Sequence, residues 1–521
     1  MKMVQKPRKS LVAFALASAI GGAMVSAPAQ AVNLSPDNLG QVLVFPYYTA
    51  KNGFDSYIHL TNTSNDTVIA KIRFREAKNS REVRDFNIIL SPKDVWTAAV
   101  TEDGDGAKLV TYDKSCTSPI LPASTTSPGA TEIAFTSLGY DGSDQYAYDN
   151  GGMGLERVKE GYFEVIAMGA SSASTGTFNS TTDNVIEYNA KHVNGVPRNC
   201  GIVDEQFAAQ TGNLSGLDAF DHFVYPGNVL KGFSTLINVA SGQAVGVEPT
   251  VLANFIEPGA GTIIFPPGDL EPDLADVDDS LGANYVDDAG ALASVAGSET
   301  IDVVSALLMR RNVINEFTST AAGTTQTDWV LTFPTKHNYT DNGGLGAPLL
   351  TAVAPFDEVF TKYDSDDEVV LTRHDGKSCV DIGPTYYDRE EATRTGSSTD
   401  FSPRPAGGKI ELCNEVNVLS FNSSNVFGSG VRFAIDTSAV ARTGWMNLRM
   451  GPATVVAGGE GALAVSGDIG TVVGGDFIMR GLPVIGFGAV VRYNDAEAGN
   501  NRNYGVSEEH SYNRDVVEVA P

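Results

Sequence analysis

Residues 41–103 read QVLVFPYYTAKNGFDSYIHLTNTSNDTVIAKIRFREAKNSREVRDFNIILSPKDVWTAAVTED. Apolar side chains recur at every second position, and turn residues interrupt them every ten or so, which is the pattern of half-buried strands. Five segments follow one another: QVLVFPYY, FDSYIHLTN, DTVIAKIRFRE, REVRDFNIIL and DVWTAAVTE, the first four connected through Lys-Asn-Gly, Thr-Ser-Asn and Ala-Lys-Asn. In the third, Val68, Ile72 and Phe74 share one parity while Lys71, Arg73 and Arg75 share the other. Successive side chains of a strand point to opposite faces, so one face is expected in a core and the other in solvent. Sheets of this kind bury their apolar faces against each other. The fold class expected is therefore mainly β, built as immunoglobulin-like β-sandwich domains with a few short helices and long loops.

The same habit continues outward and sets the expected division of the chain. Residues 32–105 form an N-terminal β-sandwich, and residues 106–230 a second β region that contains EGYFEVIAMG at 160–169 and the polar loop SSASTGTFNSTTDN. Residues 231–325 are an acidic loop and helix region. From 232 to 309 there is no Lys or Arg, against 12 acidic side chains. The centre of that stretch, DLEPDLADVDDS at 269–280, lacks apolar density and is expected as an extended loop. A helix is expected over Ile301 to Phe317, where Val304, Leu307, Leu308, Val313, Ile314 and Phe317 recur near helical spacing and Arg310, Arg311 and Asn315 are polar. Residues 326–521 return to strands in DWVLTFPTKHNY, VRFAIDTS, GWMNLRM and LPVIGFGAVVRY. Trp96, Trp329 and Trp445 each fall in a strand segment and read as core anchors.

Composition bounds the function. Among 521 residues, 63 acidic side chains oppose 36 basic ones, a formal charge of −27. A field of that sign repels phosphate backbones and acidic lipid, which argues against nucleic acid or an anionic bilayer as partner. Lys2, Lys6, Arg8 and Lys9 precede an apolar run from Leu11 to Val25 and the small-residue site Ala29-Gln30-Ala31. This is the pattern of a secretory signal peptide over residues 1–31. Its removal takes four cations and no anions, leaving 32 basic against 63 acidic side chains, a difference of −31. No later stretch has the roughly 20 apolar residues of a membrane-spanning helix, and no membrane insertion is expected.

An even number of cysteines in an exported chain reads as disulfides. Cys116, Cys200, Cys379 and Cys413 allow three connectivities, of which Cys116–Cys200 and Cys379–Cys413 join sequence neighbours and are favoured. Each would contribute about 3 to 4 kcal/mol in the chain-entropy description.

Local catalytic motifs are absent: the six histidines are dispersed, and neither H-E-x-x-H, G-x-S-x-G nor a phosphate-binding glycine loop occurs. Hard oxygen ligands for Ca²⁺ do occur on expected loops, at Asp103 and Asp105, at Asp364, Asp366 and Asp367, and at Asp276 and Asp278. None completes an EF-hand loop, and the competing reading is solvated acidic loops. The basic strip Lys71, Arg73, Arg75, Arg81 and Arg84 is complementary to the acidic tract at 269–279. Two arrangements follow: pairing across subunits in a head-to-tail assembly, or neutralisation within one molecule. Tyr47, Tyr48, Tyr386 and Tyr387 form the two adjacent aromatic pairs that could serve as exposed platforms for a carbohydrate, but tyrosine next to a strand end more often packs, and packing is the favoured reading.

The segments LVFPYYTAKNG, REVRDFNIILSPKDVW, EGYFEVIAMG, HVNGVPRNC, DVVSALLMRRNVINEF, DWVLTFPTKHNY and LPVIGFGAVVRY resemble, in their order and number, an uncharacterised family of exported bacterial cell-surface proteins. The resemblance extends from about residue 40 to 495. It implies that HVNGVPRNC and LSPKDVW are framework elements and that residues 32–521 behave as one composite unit; it implies no activity or ligand for any residue. The expected function is that of a non-enzymatic structural or interaction protein of the cell surface or extracellular matrix, with Ca²⁺ and self-association or a matrix component as the implied ligand and partners. A secreted or periplasmic hydrolase or carbohydrate-binding protein is the alternative, with the periplasm as the alternative location.

Overall fold

The computed structural model describes residues 31–143, 149, 151–171, 185–257, 261–277, 282–340, 353–359, 361–363, 369–371, 376–402, 410–438, 441–493 and 503–519. Residues 1–30 of the expected signal segment, Asp278, Asp364, Asp366 and Asp367 lie outside them. The structure is mainly β, with a few short helices.

The five opening segments become the strands Val42–Thr49, Asp55–Asn62, Val68–Glu76, Glu82–Leu90 and Val95–Asp103. They do not form one meander. Asp55–Asn62 and Val95–Asp103 pair with each other in a six-stranded sheet, ordered Gln243–Val247, Leu230–Asn238, Asp55–Asn62, Val95–Asp103, Gly106–Thr111, Thr131–Ala134. The other three belong to a thirteen-stranded sheet. In it Glu160–Ser171 lies between Val42–Thr49 and Val68–Glu76, which in turn pairs with Glu82–Leu90. Gly161 sits where this pairing is tightest, since a Cβ there would come 1.9 Å from the Arg75 carbonyl oxygen.

The two sheets pack face to face around Phe45, Ile58, Phe74, Phe86, Trp96 and Phe163, with Phe45 and Phe163 stacked at 4.2 Å between centroids. This is the sandwich that the alternation called for. A second pair of sheets, carried on Asn312–Thr318, Thr443–Met450 and Val380–Tyr387 on one side and Thr325–Thr332, Val416–Phe421 and Ile485–Arg492 on the other, closes over Phe317, Trp329, Phe421 and Met446. Phe317 and Phe421 stack at 4.9 Å.

The boundaries expected at 105, 230 and 325 are not followed by the sheets. The thirteen-stranded sheet continues from Val42–Thr49 through Thr250–Ala253, Val32–Leu34, Ala283–Val286 and Leu292–Ala296 to Ala462–Ile469, Val472–Arg480 and Asp515–Glu518. One core cluster correspondingly joins Val42 and Tyr47 to Trp329, Phe427 and Phe487.

The expected helix over Ile301 to Phe317 is shorter. Thr300–Leu308 is helical, and Asn312–Thr318 is a strand in which Val313, Asn315 and Phe317 are buried while Asn312, Ile314 and Glu316 are less so. Helical and strand periods coincide over a few residues, and the β-branched pair Val313-Ile314 favours the strand. Arg310 and Arg514 both turn back to the helix end: Arg310 Nη1 donates to the Leu307 and Met309 carbonyls at 2.8 and 2.9 Å, and Arg514 donates to Ala306, Leu307 and Met309. Cations at that pole oppose the partial negative charge of the helix C-terminus.

Cys116 is bonded to Cys200 and Cys379 to Cys413, across 84 and 34 residues. The first ties the strand Cys116–Ser118 to the helix Cys200–Phe207, whose Val203 and Phe207 pack with Ile69, Ile89 and Met168 on the outer face of the large sheet.

Candidate functional site

The basic strip requires the main correction. Lys71, Arg73 and Arg75 were expected on a solvent face, yet every residue of Val68–Glu76 is buried. The cover is the acidic tract of the same chain. Residues 262–277 run across the outer face, and Lys71 Nζ donates to the carbonyls of Pro266, Asp269 and Glu271 at 3.1, 2.8 and 2.5 Å. Arg73 donates to the Pro272 and Asp269 carbonyls at 2.8 and 3.0 Å. The tract thus meets the strip mainly through backbone oxygen. Of its carboxylates, that of Asp273 lies 3.8 Å from Arg75.

The neutralising carboxylates come from neighbouring strands instead: Glu82 lies 2.7 Å from Arg73, Glu164 3.4 Å from both Arg73 and Arg75, and Asp85 3.5 Å from Lys71. Burial pulls the Lys71 ammonium down to about 8, with Arg73 adding to the effect. Of the remaining strip members, Arg81 lies 3.8 Å from Asp149 and Arg84 donates to the Ala134 carbonyl. A cation with its charge buried needs this full set of acceptors, so the strip is framework rather than a docking surface.

The turn that follows the strand is held by a second charge cluster. Glu76 accepts the backbone N–H groups of Lys78, Asn79 and Arg81 and pairs with Arg157, which donates from Nη2 to Glu76 at 2.7 Å and to Asp149 at 2.6 Å. Arg157 also lies 4.0 Å above the Tyr140 ring.

The expected calcium ligands are not gathered. Asp103 and Asp105 occupy the exposed turn between Val95–Asp103 and Gly106–Thr111, where Asp103 faces Lys108 at 3.6 Å. Asp276 accepts from the Asp273 backbone N–H at 2.7 Å in a single turn of 3-10 helix, and burial raises its carboxyl to about 6. Among the described residues, no group of three or more His, Cys, Asp or Glu side chains is placed to hold a metal ion.

A cavity of about 240 Å³ opens between Gly246–Val251 and the strand pair around Ile485 and Ser507. It contains Arg310 and His510, but both are committed to framework contacts. Tyr512 covers the Arg310 guanidinium at 3.5 Å. His510 sits between the Val330 carbonyl and the Asn315 side chain, each at 3.0 Å, and burial lowers it to about 4, so it is neutral at physiological pH.

Tyr47, Tyr48 and Tyr386 are packed rather than exposed, with Tyr47 donating to Glu160 and Tyr48 to the Val158 carbonyl. Conversely Trp445, read as a core anchor, is 36% exposed and stacks on Tyr387 at 3.9 Å.

Three of the aromatic residues that face solvent lie together with His59 on the outer face of the six-stranded sheet. Because Ile58 and Leu60 point into the sandwich, Tyr57 and His59 point out. Tyr57 is 38% exposed, Phe233 43% and Tyr112 63%. Register places Phe233 opposite His59, and their rings stack at 4.2 Å. Tyr57 is opposite Ala99 and His59 opposite Thr97, and Ala99 is opposite Val110. Small side chains on Val95–Asp103 therefore lie between aromatic flanks. The result is a shallow groove of about 390 Å³ bordered by Tyr57, His59, Thr97, Ala99, Thr101 and Tyr112. The alternation in FDSYIHLTN already assigns Tyr57 and His59 to the outer face; Phe233 joins them only through pairing across about 170 residues.

One further site is pH-sensitive. His222 contacts Glu187 through Nε2 and lies 3.3 Å from Asp221 through Nδ1. Burial opposes its protonation, but the two carboxylates outweigh burial and raise its pKa above the ordinary 6.5. Its ionic contribution is complete below pH 6.5 and is lost as pH rises through the raised value. His222→Gln is expected to cost up to about 1 kcal/mol at pH 5.5 and less at pH 8.5, as read by urea denaturation; an equal cost at both pH values would contradict the pairing.

No described helix is long and apolar enough to cross a membrane. No family model, curated protein or solved structure matches the chain.

Proposed function

We propose that the protein is an exported, non-enzymatic interaction protein of the bacterial cell surface or its extracellular matrix. The observation that carries this reading is the groove just described: aromatic side chains held outward on a rigid sheet, where burial cannot account for them. Large exposed apolar side chains gathered on one face mark interaction sites. The charged side chains most capable of chemistry, such as Arg73, Glu164 and Arg157, are engaged with one another inside the fold. The two disulfides suit an oxidising compartment.

Protease treatment of intact cells tests the location. Digestion of the protein in intact cells, or its recovery in the matrix fraction, is expected; recovery only from soluble periplasm would overturn the surface assignment.

A further inference from the structure

We propose that the outer groove of the six-stranded sheet binds a neutral polysaccharide chain lying along Val95–Asp103. This deepens the interaction reading above and rests on it. The floor is made by the outward side chains Thr97, Ala99 and Thr101, none larger than threonine. One wall carries Tyr57 and the His59–Phe233 stack; the other carries Val110 and Tyr112. The walls stand two strand spacings apart, about 10 Å, wide enough for one sugar chain and too narrow for a packed helix with its side chains.

The chemistry of the groove matches a sugar. A pyranose presents C–H groups on its faces and hydroxyls at its rim, so it is held by aromatic rings combined with hydrogen-bonding groups at the edge. Tyr57 and Tyr112 supply both in one side chain, and neither phenol hydroxyl has a hydrogen-bond partner among the described residues. Thr97 and Thr101 add hydroxyls along the floor.

Charge selects against acidic ligands. Asp55 is the charged side chain bordering the groove, and burial lowers the pKa of His59, so its stacked ring is neutral at pH 7. Around the groove lies a molecule of formal charge −27. Among the described residues no cation lines the groove: Lys108, opposite Thr101, is paired with Asp103 and Glu132, and Lys231 lies opposite Thr61, beyond the His59–Phe233 stack, while the field of the molecule opposes the approach of a phosphate, a sulfate or a uronic acid. A neutral glycan incurs no such repulsion.

The test is native affinity electrophoresis of the mature chain in gels containing hydroxyethyl cellulose, dextran or alginate, beside the variant Tyr57→Ala/Tyr112→Ala. Both tyrosines are exposed, and an unchanged melting temperature checks that the variant folds; Ala99→Arg, which fills the floor, is a second variant. Retardation is expected in at least one neutral polysaccharide and not in alginate. It should be insensitive to salt and weakened about tenfold or more by the double substitution. Absence of retardation in both neutral polymers, equal retardation of wild type and variants, or preference for alginate would each overturn the proposal. Surface exposure and matrix retention are measured separately. A surface protein that ignores both neutral polymers leaves the interaction reading standing and removes the glycan; a purely periplasmic protein that binds them does the reverse.

Discussion

Replacing Arg157 with methionine is expected to cost about 4 kcal/mol of folding stability. Arg157 is almost fully buried and donates to both oxygens of Glu76 and both of Asp149, themselves inaccessible to solvent. Methionine fills much of the volume but leaves two carboxylates in a poorly solvated site without their guanidinium. Removing one partner of a buried ion pair costs about 3 to 5 kcal/mol for that reason. The effect is larger than that of an exposed pair because solvent cannot take over the arginine's role. Adding Glu76→Gln and Asp149→Asn to Arg157→Met removes the stranded charges and should recover part of the loss. Equilibrium urea denaturation measures both. A loss below about 1 kcal/mol for the single substitution would show that the cluster is not desolvated as described.

Glu415→Gln is expected to act in the opposite direction and only at high pH. Glu415 precedes the strand Val416–Phe421, and its backbone N–H donates to Lys78 in the same turn that Glu76 organises. Its carboxyl is buried and Oε2 has no hydrogen bond. Burial pushes its pKa up to about 8 from an ordinary 4.5, although Lys336 acts to lower it.

An acid with a raised folded pKa destabilises the fold wherever the unfolded form has already lost its proton. Below pH 4.5 both forms hold the proton and the penalty is absent. Between 4.5 and 8 it grows by about 1.4 kcal/mol per pH unit. The wild-type protein should therefore lose stability across that window, and the glutamine variant, which does not ionise, should not suffer this loss. Relative stabilisation should rise from near zero at pH 4.5 to about 5 kcal/mol above pH 8. Urea denaturation at half-unit intervals measures the curve. A difference between the two proteins that stays flat with pH would refute the assignment.

Both substitutions fall around residues that the sequence presents as surface, which explains what was legible and what was not. Alternation in DSYIHLTN and VWTAAVTED reports which face is buried whenever the opposite face meets water, and Ile58, Leu60 and Trp96 are inward as the period requires. The same rule fails on VIAKIRFRE. Alternation there reflects two different buried environments, one apolar and one lined by carbonyls and carboxylates. Nothing within nine residues signals that a segment about 200 positions downstream lies over Lys71.

Carbonyl acceptors are the same in every sequence, so a charge neutralised by backbone leaves no compositional trace. The acidity of 269–276 was visible, but its acids mostly serve their own turns while its peptide groups hold the cations. Packing of the adjacent tyrosines has a related cause: Tyr47 and Tyr48 occupy opposite faces of a strand buried on both. The cysteine pairing followed chain order, because cysteines adjacent in sequence more often share a folding unit.

The thirteen-stranded sheet has a consequence in time. Val32 finds its parallel partner Ala283 only after 251 further residues, and Ala296 waits 170 residues for Ser466. A chain appearing from its N-terminus therefore carries open strand edges until its last sixth has been made. Pairings of such long sequence separation form slowly and leave edges available for wrong partners meanwhile. For this protein completion is the event that matters: the final strands join a sheet begun at Val32, and until they arrive its edge at Leu292–Ala296 remains open to misassembly.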